Sequence, residues 1–146
     1  MAKNGKKKEK QKAFLIELKK EINKSKEFVF VCPNEETIEN YIWVGKPDGR
    51  IGTAECHYEI LFDGNDKLKV EAHFEDDNFE DFRDIKLPEE AKEKLKYEYK
   101  KYTEKKQGMI VYANDTGIAN TGDTKEVMNV LRELDGLIGE ELKRIV

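Results

Sequence analysis

Serine is almost missing from this chain: Ser25 is the only one, and it sits among lysines. A serine nucleophile with ordinary triad spacing is therefore excluded. Cysteine is scarce as well, with Cys32 and Cys56 isolated at apolar positions, which reads as reduced core thiols, with a disulfide as the alternative. The chain has only four arginines, Arg50, Arg83, Arg132 and Arg144, fewer than forked recognition of bases or phosphates usually uses. It has no glycine-rich loop to cradle a phosphate, and nothing in it requires a cofactor. It also lacks a secretory leader and a run of eighteen apolar residues, so it predicts a cytoplasmic protein with no membrane partner.

What is present is charge of both signs. Of 146 residues, 40% are charged and 38% hydrophobic, which suits one domain with its own core rather than a disordered polymer. The charge is unevenly placed. Residues 1–26 carry ten lysines and three glutamates, a net of +7, which leaves −11 on the rest of a chain whose total is −4. Residues 1–7 read as a flexible basic arm and 8–146 as a single α+β domain. Lys3, Lys6, Lys7, Lys8, Lys10 and Lys12 are the candidate nucleic-acid contacts, since lysines on phosphates release counterions. A solubilising tail, or an arm docked on the acidic body, has the same composition.

The clearest local pattern runs from Thr53 to Glu75. Ala54, Cys56, Tyr58, Ile60 and Phe62 alternate with Glu55, His57 and Glu59. After Asp63-Gly64-Asn65, Leu68, Val70, Ala72 and Phe74 alternate with Lys69, Glu71, His73 and Glu75. Period two with one apolar face predicts a hairpin of two half-buried strands. A five-residue loop would set Glu59 opposite Glu71, a like-charge pair; a three-residue loop sets Glu59 opposite Lys69, His57 opposite Glu71 and Glu55 opposite His73. Charge therefore favours the three-residue turn. In that register Glu55, His57, Glu71 and His73 form a candidate metal set of two imidazoles and two carboxylates. The same alternation of opposite charges also serves a strand pair facing water.

Around the hairpin, Phe14, Leu15, Leu18 and Ile22 mark one stripe of a helix from about Lys8 to Lys24. Phe28-Val29-Phe30-Val31 reads as a strand covered on both faces and closed by Pro33. A connection over Asn34 to Asn40 leads to the strand Tyr41-Ile42-Trp43-Val44, and Lys46-Pro47-Asp48-Gly49 has turn chemistry. Pro88, Glu89 and Glu90 suit the start of a helix whose stripe is Ala91, Leu95, Tyr99 and Tyr102. Met109 to Tyr112 reads as another strand. A last helix opens at Asp123-Thr124-Lys125-Glu126 and buries Val127, Val130, Leu131, Leu134, Ile138, Leu142 and Ile145. Gly136 and Gly139, three apart within it, suggest a close approach to another element or a break. The expected order is α-β-β-β-β-α-β-α, a mainly antiparallel sheet of about five strands with the helices on one face.

Val70-Glu71-Ala72-His73-Phe74, then Ile110-Val111-Tyr112, then the helix from Asp123 give this order a resemblance. It is similar to small uncharacterised bacterial α+β domains associated with restriction-nuclease-like proteins, where a strand ending Val-Glu-x-His/Tyr-Phe precedes a helix, a strand and a long helix. The resemblance implies a bacterial or phage setting in nucleic-acid defence, and it transfers no catalytic residue. A magnesium nuclease of the restriction type would need Glu/Asp-x-Lys on the second strand; here Lys69-Val70-Glu71 runs in reverse, and Asp63 lies in the turn. Asp115-Thr116-Gly117 matches the aspartic-protease triplet but lacks the preceding apolar pair, and it reads as a turn. What remains is a noncatalytic interaction module for a protein partner. Its candidate contacts are Tyr97, Tyr99 and Tyr102 on the middle helix and Asp76, Asp77, Glu80 and Asp81 in the acidic loop. The alternative is a metal-dependent hydrolase acting on nucleic acid or a phosphoester.

Overall fold

The computed structural model describes residues 2–47, 51–54, 56–64, 67–75, 89–101, 107–113, 118–119 and 123–145. Helix α1 spans Ala2–Ser25, followed by β1 (Val29–Cys32), a 3-10 turn (Glu35–Thr37), β2 (Tyr41–Gly45), β3 (Cys56–Phe62) and β4 (Lys67–Glu75). Then come α2 (Glu89–Lys94), β5 (Leu95–Lys101), β6 (Gln107–Ala113), β7 (Ile118–Ala119) and α3 (Thr124–Ile145). The strands form one antiparallel sheet in the order β1-β2-β3-β4-β6-β5, with β7 beside β4. This is the α+β class expected from the sequence.

Strand alternation divides the sheet into two unlike faces. Even-numbered side chains of β2, β3 and β4, among them Ile42, Val44, Tyr58, Ile60, Val70 and Ala72, are sealed from solvent. Leu15, Leu18 and Ile22 of α1 and Val127, Leu131, Leu134 and Ile138 of α3 join them in one core. Phe14 meets Phe62 edge-on at 6.0 Å, and the Tyr58 hydroxyl donates to Asp135 Oδ1 at 2.6 Å, so α1 and α3 cover the same face. Lys46 Nζ completes that tie, 2.9 Å from Asp135 Oδ2 and 4.5 Å from the centre of the Phe28 ring. At the start of α3, Asp123 Oδ1 accepts from the Lys125 backbone N–H at 2.9 Å, which satisfies one of the donors a helix N-terminus leaves open.

Four expectations change. The β3–β4 register pairs His57 with His73, Glu59 with Glu71 and Phe62 with Leu68, the longer-loop register that the like-charge argument disfavours. Its compensation is His73, whose Nε2 lies 2.9 Å from Glu71 Oε2 and 3.5 Å from Glu59 Oε2, between the two carboxylates. Asp63 closes the loop, its Oδ1 accepting from the Lys67 N–H at 3.0 Å. Second, the expected helix from Pro88 to Tyr102 gives way after Lys94 to β5, which pairs along its length with β6. Leu95, Tyr97 and Tyr99 alternate with Lys96, Glu98 and Lys100, and β-favouring tyrosines with a ready partner strand outweigh helix propensity. Third, β1 is an end strand covered on one face: Val29 and Val31 are 36% and 37% exposed. Its Phe30 N–H meets Asn23 Oδ1 at 3.4 Å, which occupies part of the sheet edge. Finally, Gly136 is exposed, and a methyl group built there would have no heavy atom within 4 Å, so that glycine serves no close packing.

Candidate metal centre on the open face of the sheet

The face turned away from α1 and α3 carries the odd-numbered side chains. Register sets Trp43 of β2 opposite Glu59 of β3, Glu59 opposite Glu71 of β4, and His57 opposite His73. The rings form a ladder across three strands. The Trp43 and His57 ring centres are 3.8 Å apart and the His57 and His73 centres 5.0 Å, each pair inclined by 17°. Although this face is away from the helices, His57 is 2% exposed, Glu71 7% and His73 8%. The set is a buried polar cluster and not the water-facing charge pattern its alternation also suggested.

Hydrogen bonds orient the members. His57 Nδ1 lies 2.9 Å from the Thr53 carbonyl oxygen. A carbonyl can only accept, so Nδ1 carries the proton and donates, and in the neutral ring Nε2 keeps its lone pair. That nitrogen is 4.0 Å from Glu59 Oε1. Trp43 Nε1–H donates to the same Oε1 at 2.7 Å and fixes the carboxylate, while Oε2 faces His73 Nε2. Donor atoms of His57, Glu59 and His73 all fall within 4.8 Å of one another.

The Thr53 carbonyl is placed by the approach to β3. Lys46 N–H donates to the Ile51 carbonyl at 2.9 Å, bringing Ile51 and Gly52 back over Gly45. A Cβ on Gly45 would sit 2.2 Å from that carbonyl oxygen, so only glycine lets the segment cross there. Thr53 then bonds Cys56 in both directions before β3 begins. Near the cluster, burial and the negative charge of Glu59 push the Cys32 thiol up from its ordinary value.

Of the four candidate ligands from the sequence, the fold brings together His57, His73 and Glu71; Glu55 lies outside the described residues. The carboxylate whose donor atom falls within 4.8 Å of both imidazole donors is that of Glu59, which the shorter-loop register pairs with Lys69. The sequence offers Trp43 as a strand residue and as one of a surplus of aromatic rings; its odd position in β2 is the signal that it shares the face of the histidines. Lys69 faces Leu61 and sits 3.9 Å from Asp63, so of the reversed nuclease motif Glu71 joins the cluster and the lysine pairs at the turn.

Among the arm lysines, Lys7, Lys8 and Lys10 are exposed on α1, and Lys12 Nζ donates to the Glu36 carbonyl at 3.0 Å. The side chains of Lys3 and Lys6 lie outside the described residues, although α1 itself begins at Ala2. Tyr97 and Tyr99 are on strand β5 and not on a helix. Asp76, Asp77, Glu80, Asp81, Tyr102, Asp48, Gly49 and Asp115-Thr116-Gly117 lie outside the described residues.

Two imidazoles and one or two carboxylates are a donor set for a divalent ion of borderline character. No helix among the described residues is long and apolar enough to cross a membrane. Comparison with protein-family models, curated proteins and solved structures gives no match.

Proposed function

We propose that this domain is a noncatalytic intracellular interaction module that holds a protein partner at the β1–β2 end of its sheet. One observation carries the reading. Among the described residues the exposed large apolar side chains are Val29, Val31 and Tyr41, at 36–38%, and all three belong to these two neighbouring strands. Apolar groups gathered at a sheet end are a contact surface, with tyrosine a frequent anchor. Deep burial of the histidine cluster supports the noncatalytic part, since a substrate needs access to the groups that act on it. The likeness to domains beside restriction-nuclease-like proteins is the reason for placing the partner in a bacterial or phage nucleic-acid-defence system.

The test is cross-linking in extracts of the source cells, comparing the wild type with a Val29→Lys, Val31→Lys variant of unchanged circular dichroism. The reading predicts a partner whose cross-links fall on β1 and β2 and vanish in the variant. Cross-links elsewhere, or unchanged in the variant, contradict it. A second reading, a metal-dependent hydrolase of nucleic acid or a phosphoester, rests on the convergence of His57, Glu59 and His73. It predicts zinc- or magnesium-dependent cleavage of a nucleic acid that disappears in Glu59→Gln.

A further inference from the structure

The histidine cluster has the features that separate a built metal centre from a chance meeting of polar groups. Donor chemistry comes first: two imidazole nitrogens and a carboxylate oxygen converge within 4.8 Å from two adjacent strands. Strands hold such donors more firmly than loops, because ladder hydrogen bonds fix their spacing. Outer contacts come second. Metal-ligating histidines characteristically donate their other ring N–H to a carbonyl or carboxylate, and His57 Nδ1 does so to Thr53. The Glu59 carboxylate is held in the same manner by the Trp43 indole.

We infer that His57 Nε2, Glu59 and His73 Nε2 form a binding site for a zinc-class divalent cation, with Glu71 beside it to complete the donor set. His73 Nε2–H donates to Glu71 Oε2. For the cation to bind there, His73 takes its other neutral tautomer, losing the Nε2 proton to solvent and gaining one on Nδ1, so that the ring stays a neutral imidazole ligand and Glu71 turns from an acceptor for His73 into a carboxylate for the ion. Two carboxylates balance the charge of a divalent ion. With the donors on β3 and β4 and the orienting indole on β2, the ion clamps three strands next to the surface proposed for the partner. The inference does not depend on that partner, since its readouts are taken on the isolated chain.

Trp43 is the only tryptophan in the chain, so its emission reports on the site without a label. The experiment is calorimetric titration of the chelator-treated full-length protein with Zn²⁺, with Trp43 emission followed in parallel. The expected result is one ion per chain, a changed Trp43 emission and a raised melting temperature. Glu59→Gln, which keeps the shape and an acceptor for the indole, lowers affinity by at least about tenfold, and Trp43→Phe lowers it by about 10–100-fold through loss of the orienting contact. His57→Ala with His73→Ala abolishes binding; should that variant fail to fold, Glu59→Gln decides alone. Absence of stoichiometric binding, or binding that Glu59→Gln leaves unchanged, overturns the inference.

Discussion

Trp43 and His57 stack across neighbouring strands at 3.8 Å, and the same indole donates to Glu59 at 2.7 Å. One side chain thus fixes both the base of the ring ladder and the carboxylate beside it. Trp43→Phe keeps a ring but removes the donor. Hydrogen bonds to charged groups contribute about 1.5–3 kcal/mol, so a loss of that size is expected in denaturant melts. A change smaller than the scatter of the melts would mean that the indole N–H does not hold Glu59 in solution.

Gly45 is predicted to be intolerant of a side chain. Gly45→Ala puts a methyl group against the Ile51 carbonyl, a backbone atom that cannot swing aside, and overpacking of this kind costs about 1–3 kcal/mol. The displacement reaches Thr53 and hence the His57 contact, so chemical-shift changes should be concentrated at Thr53, His57 and Trp43. Wild-type stability with undisturbed shifts at those residues would refute the crossing of Ile51 over Gly45.

Gly136 has the opposite expectation. Its helix is continuous and the space beside it is open, so Gly136→Ala should stabilise by up to about 1 kcal/mol through helix propensity alone. Destabilisation in the melt would show a packing role that the surroundings of this residue do not contain.

The alternation of β3 and β4, the helical stripes of α1 and α3 and the Asp123 cap were legible because each depends on local periodicity or on a local hydrogen bond. The register was not. Pairing Glu59 with Glu71 is unfavourable only where nothing lies between them, and His73 is brought there by β4 itself. Burial of the odd face was hidden for a similar reason, since alternating Glu and His read as solvent-facing until Trp43 is stacked on them from the next strand. In residues 95–101, Leu95 and Tyr99 satisfy helical spacing and Leu95, Tyr97 and Tyr99 satisfy strand spacing; pairing with β6, a tertiary fact, selects the strand. The valines of β1 read as covered on both faces and are exposed, because a short apolar run does not reveal whether its strand is central or at an end.

Burial of the Cys56 thiol and the Tyr58 phenol predicts a decline of stability at alkaline pH. Burial pushes Cys56 from an ordinary 9.0 up to about 12, and burial with the adjoining Asp135 carboxylate holds Tyr58 well above 10.0. In both cases the unfolded chain loses its proton first. Stability is therefore fully present below about pH 9 and falls between the unfolded and folded values. Urea midpoints should be level below that pH and decline above it, less steeply in Cys56→Ala. A midpoint that rises with alkaline pH, or an identical slope in the variant, would contradict this. Native Cys56 should also resist alkylation until the protein unfolds.

The proposed metal site depends on one nitrogen, His57 Nε2, being directed into the cluster by a proton held on Nδ1. Two-bond ¹⁵N–¹H correlation spectra of the imidazoles, recorded on metal-free protein near neutral pH, read that tautomer directly. The expected result is a protonated Nδ1 and an unprotonated Nε2 for His57, the tautomer that the Thr53 carbonyl selects. A neutral ring protonated on Nε2 would contradict it, because that lone pair would then be turned away from Glu59 and His73.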